Sequence, residues 1–423
     1  MLLIDREKED ISLLGKGVRR AVAIVNHLPR IGYLAQNGEL RKRLTEHEKE
    51  WVCPKGMTRT IYDQGDYTME LLSGQIQDDQ GESEERRLPH LELLAKIRAR
   101  EREKEKAENL HETVQGEELK EIIGQGELQE DQQEEAIIKQ QENNQEEGFK
   151  EQQKNDREEE SQKKQANDQH EECMQEQSQE KELPKEEQWL ILHLHGGGYY
   201  GRLHNTYRDM AAVYHEISGG YDVLSVDYRV APEFPFPAAL NDAVSAYQWA
   251  LDQGYQSDKI LIVGDSAGGG LTLAVTLYIR DHKLPMPAAV ITMSAWTDLT
   301  KSGWSYEEKF HEDPVFGDSK ETLVYKEGYI IGNDPMNPYI SPIFGDYTGF
   351  PPMLMQVGER EMLLSDTLTV AERAKEQGVD ITEHTYNGMF HDFQMGFMLY
   401  QESRDAWNEI EEFITRIKTG NSE

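Results

Sequence analysis

The sequence predicts an α/β fold: a mainly parallel sheet with helices on both faces. Three observations predict it. Beyond Gln188, apolar runs of strand length alternate with longer stretches of helical character. Two of those runs end directly in glycine-rich turns, His195-Gly196-Gly197-Gly198 and Gly264-Asp265-Ser266-Ala267-Gly268. The unusual composition is confined to residues 76–186, which hold 34 Asp/Glu, 17 Lys/Arg and 18 Gln. The remaining roughly 310 residues are ordinary globular sequence, enough for a sizeable core.

Taken in order, residues 11–50 read as helical. Ile11 to Leu34 mixes Leu, Val and Ile with Lys16, Arg19, Arg20 and Arg30. That is an amphipathic pattern, read as packing on the protein's own core rather than on a membrane surface. Arg41 to Trp51 is rich in helix formers, and Pro54-Lys55-Gly56 ends it. From Thr58 to Leu72 the period switches to two around Gly65, which predicts a β-hairpin. Residues 76–186 carry no repeat of fixed period. Leu91, Leu94 and Ile97 suit one helix around 88–110, and later isoleucines are too sparse for a heptad seam. The segment reads as solvated low-complexity chain.

Strands then follow at Trp189–Leu194, Asp222–Val226, Ile260–Val263, Ala288–Met293, Met353–Val357 and Ile381–Tyr386. Helices are expected at Leu271–Ile279, Leu363–Gln377 and Trp407–Ile417. The expected organisation is 1–75 leading into the sheet, 76–186 as an acidic insertion, and 187–423 as the main domain.

Charge and composition exclude several classes. A formal net charge of -35 argues against nucleic acid, because an acidic chain repels phosphate. No run of eighteen apolar residues exists, so no transmembrane segment is expected. Charged residues 5–10 precede no apolar signal core, so no secretory peptide is read. Two cysteines, Cys53 and Cys173, make no disulfide framework and suit reduced thiols of a cytoplasmic protein.

The chemistry concentrates in three places. Gly264 to Gly268 fits G-x-S-x-G, with an apolar strand before it and a helix after it. A sharp strand-to-helix turn exposes the serine oxygen, and the flanking glycines admit neighbouring backbone. The bland alternative is a serine that only caps the helix. His195-Gly196-Gly197-Gly198 lies 71 residues before Ser266. Three glycines leave backbone N–H groups unobstructed, able to hold an oxyanion. No Lys-Ser/Thr follows, which excludes a phosphate-binding P-loop. His195 itself reads as a residue that holds the loop. His391 sits in the loop Asn387–Phe393 after the last strand, where an imidazole can reach Ser266; the competitor, His384, lies inside that strand. An acid should follow the strand ending at Val357, and Glu359, Glu361 and Asp366 are the candidates. The order Ser, acid, His is that of α/β-hydrolases.

These motifs, with Asp227-Tyr228-Arg229-Val230-Ala231-Pro232-Glu233 and Ser294-Ala295-Trp296-Thr297-Asp298-Leu299, resemble the hormone-sensitive-lipase-like (GDXG) branch of the α/β-hydrolases. The resemblance spans about 189–418 and, more weakly, 37–73. It implies an α/β-hydrolase fold with a helical N-terminal cap over the active site, and a Ser266–acid–His391 triad. It also implies an oxyanion hole from the backbone of Gly197, Gly198 and Ala267. Many relatives carry Asp before Pro-Leu as the acid; the matching position here is Glu361, before Met362-Leu363. Residues 76–186 have no counterpart in the family pattern.

The expected activity is cleavage of a small carboxylic ester or lactone by a serine nucleophile, with no metal or organic cofactor. Cap segments 11–50 and 303–330, with Trp304, Tyr306, Phe310 and Phe316, are expected to line the acyl pocket. A lipase acting at anionic lipid fits the net acidity poorly. An amidase of the same fold stays open. The alternatives from other classes are a small-molecule-binding protein on a hydrolase scaffold and an interaction arm in 76–186 that takes a protein partner.

Overall fold

The computed structural model describes residues 48, 50–54, 56–74, 184–316 and 328–420. Glu48, Glu50 and Trp51, at the end of the expected helical stretch 11–51, are not helical; the rest of that stretch, most of the 76–186 segment, Cys173 and residues 317–327 lie outside the described residues. The chain divides into two compact units, 1–95 together with 183–423, and 96–182. The second lies outside the described residues.

Eight strands form one sheet: β1 (Met57–Asp63), β2 (Thr68–Gly74), β3 (Leu190–Leu194), β4 (Asp222–Asp227), β5 (Ile260–Asp265), β6 (Ala289–Met293), β7 (Met353–Gly358) and β8 (Ile381–Tyr386). Their spatial order is β1-β2-β4-β3-β5-β6-β7-β8. The β1–β2 and β2–β4 pairs are antiparallel and the others parallel. The sheet therefore takes strands from both sides of residues 76–186. Gly65, at φ +88, makes the hairpin turn, where its N–H donates to Asp63 Oδ1 at 2.8 Å.

Strands β3, β5, β6 and β7 are buried along their whole length. That is why they read as continuous apolar runs rather than alternating ones. The edges differ: Ile61 of β1 is exposed, and β8 carries exposed Thr382 and Glu383. Charged and polar residues on such edges discourage pairing with other chains.

The helices are α1 (Asn205–Ile217), α2 (Ala238–Asp252), α3 (Ser266–Asp281), the single turn α4 (Ser305–Glu308), α5 (Leu364–Glu376) and α6 (Gln401–Thr419). Leu190, Leu192 and Leu194 point into one core with α2 and α3. Met353 and Met355 meet α3 and α5 on that same face. His193, of opposite parity, faces Tyr207 and Tyr214 of α1, and Tyr214 meets Trp407 of α6 edge-on. Helices thus cover both faces. No described helix is long and apolar enough to cross a membrane.

Two long helices, α1 and α2, and the single turn α4 were not expected from the sequence. For α1 and α2 the reason is visible. Neither has a side-chain N-cap bond or an acidic first turn, so the usual start signals are missing. Both α3 and α6 begin earlier than their apolar runs suggest. In α3 the run Gly268–Gly270, poor in helix propensity, hides the start.

Candidate active site

The parallel strands aim their C-terminal ends at one edge of the sheet, where ligand-binding loops gather in open α/β folds. At the end of β5 the chain turns sharply into α3 through Ser266. Its φ of +50 lies in the left-handed region that a non-glycine residue rarely occupies. The turn is tight on its inner side. A Cβ on Gly264 would press on the backbone of Gly268, and one on Gly268 would run into the carbonyls of Leu194 and His195. Glycine at both positions lets β3 and the turn approach each other.

The loop after β3 lies against this turn. Gly197 and Gly198 have φ of +100 and +64, and the Gly197 carbonyl accepts bonds from Tyr200 and Gly201. The N–H of Gly196 donates to Asp265 Oδ1 at 3.1 Å, tying the glycine loop to the serine turn. Asp227 braces the far side. It takes two bonds of 2.7 Å from the Arg202 guanidinium and one from the Leu203 amide. The His195 ring is stacked on Tyr228 at 4.2 Å, and its Nδ1 bonds the Gly196 carbonyl. Burial pulls the His195 imidazolium down to about 4, against the pull of Asp227, so the ring is neutral at ordinary pH. His195 is a structural member of the loop.

Ser266, His391 and Glu361 come together from three separate connections. The Nε2 of His391 lies 2.9 Å from Ser266 Oγ, and Nδ1 lies 3.1 Å from Glu361 Oε2. All three are buried, Ser266 and His391 with 6% exposure each. The second Glu361 oxygen accepts the Ser294 hydroxyl at 2.7 Å and the Gly358 amide. Burial pushes the Glu361 carboxyl up, and the bonds from His391 and Gly358 oppose that. The arrangement can move a proton from the serine to the ring while Glu361 fixes the ring's tautomer.

Residues 191–395 match a family model described as the α/β-hydrolase fold. An acetyl-hydrolase of Streptomyces hygroscopicus is 36% identical over 230 residues, covering 54% of this chain and 76% of that protein. An esterase of Acinetobacter venetianus is 35% identical, covering 54% and 75%. Among solved structures, EstE5 in its PMSF form is 39% identical, covering 54% of this chain and 76% of that one, with a TM-score of 0.52. EstE7, described as a homologue of hormone-sensitive lipase, covers 97% of this chain and 99% of its own at 25% identity, with a TM-score of 0.61. The chain belongs to the hormone-sensitive-lipase-like branch of the α/β-hydrolases.

Within this hydrolase, the other candidates have partners elsewhere. Glu359 is a third exposed and pairs with Lys309 at 2.8 Å. Asp366 is fully buried. It accepts the amides of Thr297 and Asp298 at 2.9 and 2.8 Å and the Tyr306 hydroxyl at 3.1 Å. His384 bonds Glu409 at 3.0 Å and stacks on Tyr386.

Of the four aromatic residues expected along the acyl pocket, Phe316 stands 4.7 Å from the His391 ring. Tyr306 and Phe310 are buried members of the main core, where Tyr306 also anchors Asp366, while Trp304 is 46% exposed.

Three further residues of the site were not singled out by sequence. Ser294 sits at φ +48 just past β6 and holds Glu361. Asp313 is buried and accepts the amides of Met362 and Val315, both at 2.9 Å, so it fixes the turn that carries Glu361. Asp392 approaches His391 Nε2 at 3.2 Å. Position past a strand's C-terminal end was the available signal, and it applies to Ser294 after β6 and Asp392 after β8, not to Asp313.

Proposed function

We propose that this chain is a serine hydrolase that cleaves short- to medium-chain carboxylic esters or lactones through an acyl-enzyme intermediate. The observation that carries the reading is the hydrogen-bond chain Ser266–His391–Glu361, at 2.9 and 3.1 Å. Ser266 Oγ attacks the acyl carbonyl as His391 Nε2 takes its proton. The oxyanion is held by backbone N–H groups of Gly197, Gly198 and Ala267, donors worth about 10²–10³ each in rate. His391 returns the proton to the leaving alcohol, and water repeats the cycle to release the acid. Glu361 keeps the neutral ring in the tautomer that presents a lone pair at Nε2.

The relative named acetyl-hydrolase supports a short acyl group, and the one named esterase supports an ester substrate. Phe316, tilted against the His391 ring with centroids 4.7 Å apart, would wall one side of the site. Labelling with a fluorophosphonate probe, followed by peptide mapping, tests the reading. The expected adduct is on Ser266, and an unlabelled Ser266 in an active preparation overturns the mechanism. Two cysteines in 423 residues, Cys53 a free thiol among the described ones, suit a reducing compartment such as the cytoplasm. Residues 76–186 would form an interaction arm for a protein partner, tested by pull-down against the full chain and a version lacking them.

A further inference from the structure

We propose that Asp392 is a positioning residue for the base: a second carboxyl group on His391, standing at Nε2 beside the nucleophile. The proposal rests on the serine-hydrolase reading. Asp392 Oδ2 lies 3.2 Å from Nε2 and Ser266 Oγ lies 2.9 Å from the same nitrogen. One ring nitrogen thus faces two oxygens, while the other faces Glu361.

Local structure holds Asp392 in place. Its φ of +53 is left-handed, a conformation in which Asp is enriched among non-glycine residues. Its amide donates to Ser294 Oγ at 3.1 Å, and the Ser294 hydroxyl donates in turn to Glu361 Oε1 at 2.7 Å. The carboxyl groups on the two sides of the ring are therefore tied through one serine. The other oxygen, Asp392 Oδ1, is buried with no hydrogen-bond partner among the described residues. No competing bond turns the carboxyl away from the imidazole.

This geometry has a chemical consequence. When the Ser266 proton passes to Nε2, the new N–H finds a carboxyl oxygen already beside it. The imidazolium is then held between Asp392 and Glu361 until the proton leaves for the departing alcohol. The acidic groups that act electrostatically on the ring are Glu361 after β7, Asp265 at the end of β5, Asp313 after α4, and Asp392; Tyr207 of α1 interacts with Asp265 and Asp392. Burial alone would pull the imidazolium down. Asp392 first, then Glu361, outweigh it and hold the ring well above its ordinary value. Neutral His391 is the working form, so activity falls as pH drops through that raised value. Without Asp392 the fall should come at lower pH.

The test is the pH dependence of kcat/KM on p-nitrophenyl butyrate for the full chain and for Asp392→Asn, with folding checked by thermal unfolding. Asn also tolerates the left-handed backbone. The acid limb should move to lower pH by about one unit, a tenfold change in proton affinity. Asp392→Gly, suited to the same φ, should shift it in the same direction. An acid limb that stays in place in a folded variant overturns the proposal, because a merely structural role would change the rate and leave the limb alone. If neither variant folds, NMR titration of carbon-13-labelled histidine in the unaltered chain decides. A His391 titrating at or below the ordinary imidazole value overturns the proposal, and one titrating clearly above it supports it. Failure of the hydrolase reading is distinguishable, since it leaves the unaltered chain without ester cleavage or probe labelling while the histidine titration still reports on Asp392.

Discussion

The turn after β7 and the first turn of α5 each bury a carboxyl group completely, Glu361 and Asp366, five residues apart in the chain. Their partners differ. Glu361 spends one oxygen on an imidazole that can change charge. Asp366 spends its bonds on two backbone amides and a tyrosine hydroxyl, none of which changes charge in the proposed cycle. Burial raises both carboxyl groups, Asp366 further, with Asp298 adding to it. Desolvation is therefore not what separates a group placed to assist a reaction from one that braces a loop. The partner is. Asp366 holds the segment 297–298, just past the Ser294 that orients Glu361, so the brace supports the reacting arm without touching it.

The comparison can be broken by substitution, beginning with the arm itself. Ser266→Ala should lower kcat by about 10⁶ on a p-nitrophenyl ester, as in other serine triads; retention of more than a small fraction of activity would falsify the assignment of Ser266. Glu361→Gln should lower kcat by about 10⁴ with KM little changed, because the ring loses its orienting carboxylate. A kcat loss as large in Asp366→Asn, with Glu361→Gln mild, would reverse the two roles.

A pH profile sharpens the same contrast. The carboxyl groups around His391 outweigh burial, so the acid limb of kcat/KM should lie above the ordinary imidazole value of about 6.5. Activity is lost as pH falls through the raised value and is full above it. A limb at or below the ordinary value would mean burial has won.

Smaller effects are expected on the brace. Asp366→Ala leaves the Thr297 and Asp298 amides without their acceptor, which should cost roughly 2–3 kcal/mol of stability in chemical denaturation, and Asp366→Asn should change kcat less than tenfold. If Asp366→Ala leaves stability unaltered, the bracing role is wrong. Smallest of all, Glu359→Gln should change kcat less than tenfold, since it removes a partly exposed ion pair with Lys309. A loss beyond a hundredfold there would place Glu359 in the arm.

Much of the frame was determined by sequence alone. Fully buried strands must be apolar throughout, so β3, β5, β6 and β7 announced themselves as runs. The serine turn was legible because its tight backbone approach admits only glycine at two positions, Gly264 and Gly268. His391 stood out from His384 because it lies in a loop beyond a strand rather than within it. Other features needed the tertiary structure. From residue type and position, Glu359, Glu361 and Asp366 are three acids within eight residues after one strand. The group each one meets comes from elsewhere: Lys309 after α4, His391 after β8, and the amides of 297–298 after β6. Likewise, nothing in its neighbours' identities says that Asp392 turns back onto the ring beside it; a left-handed backbone anchored to Ser294 does that. Sequence determined what local sterics and burial demand of single segments. The tertiary structure decided which polar group faces which, because hydrogen bonds reach only about 3 Å and the chain brings their partners from tens of residues away.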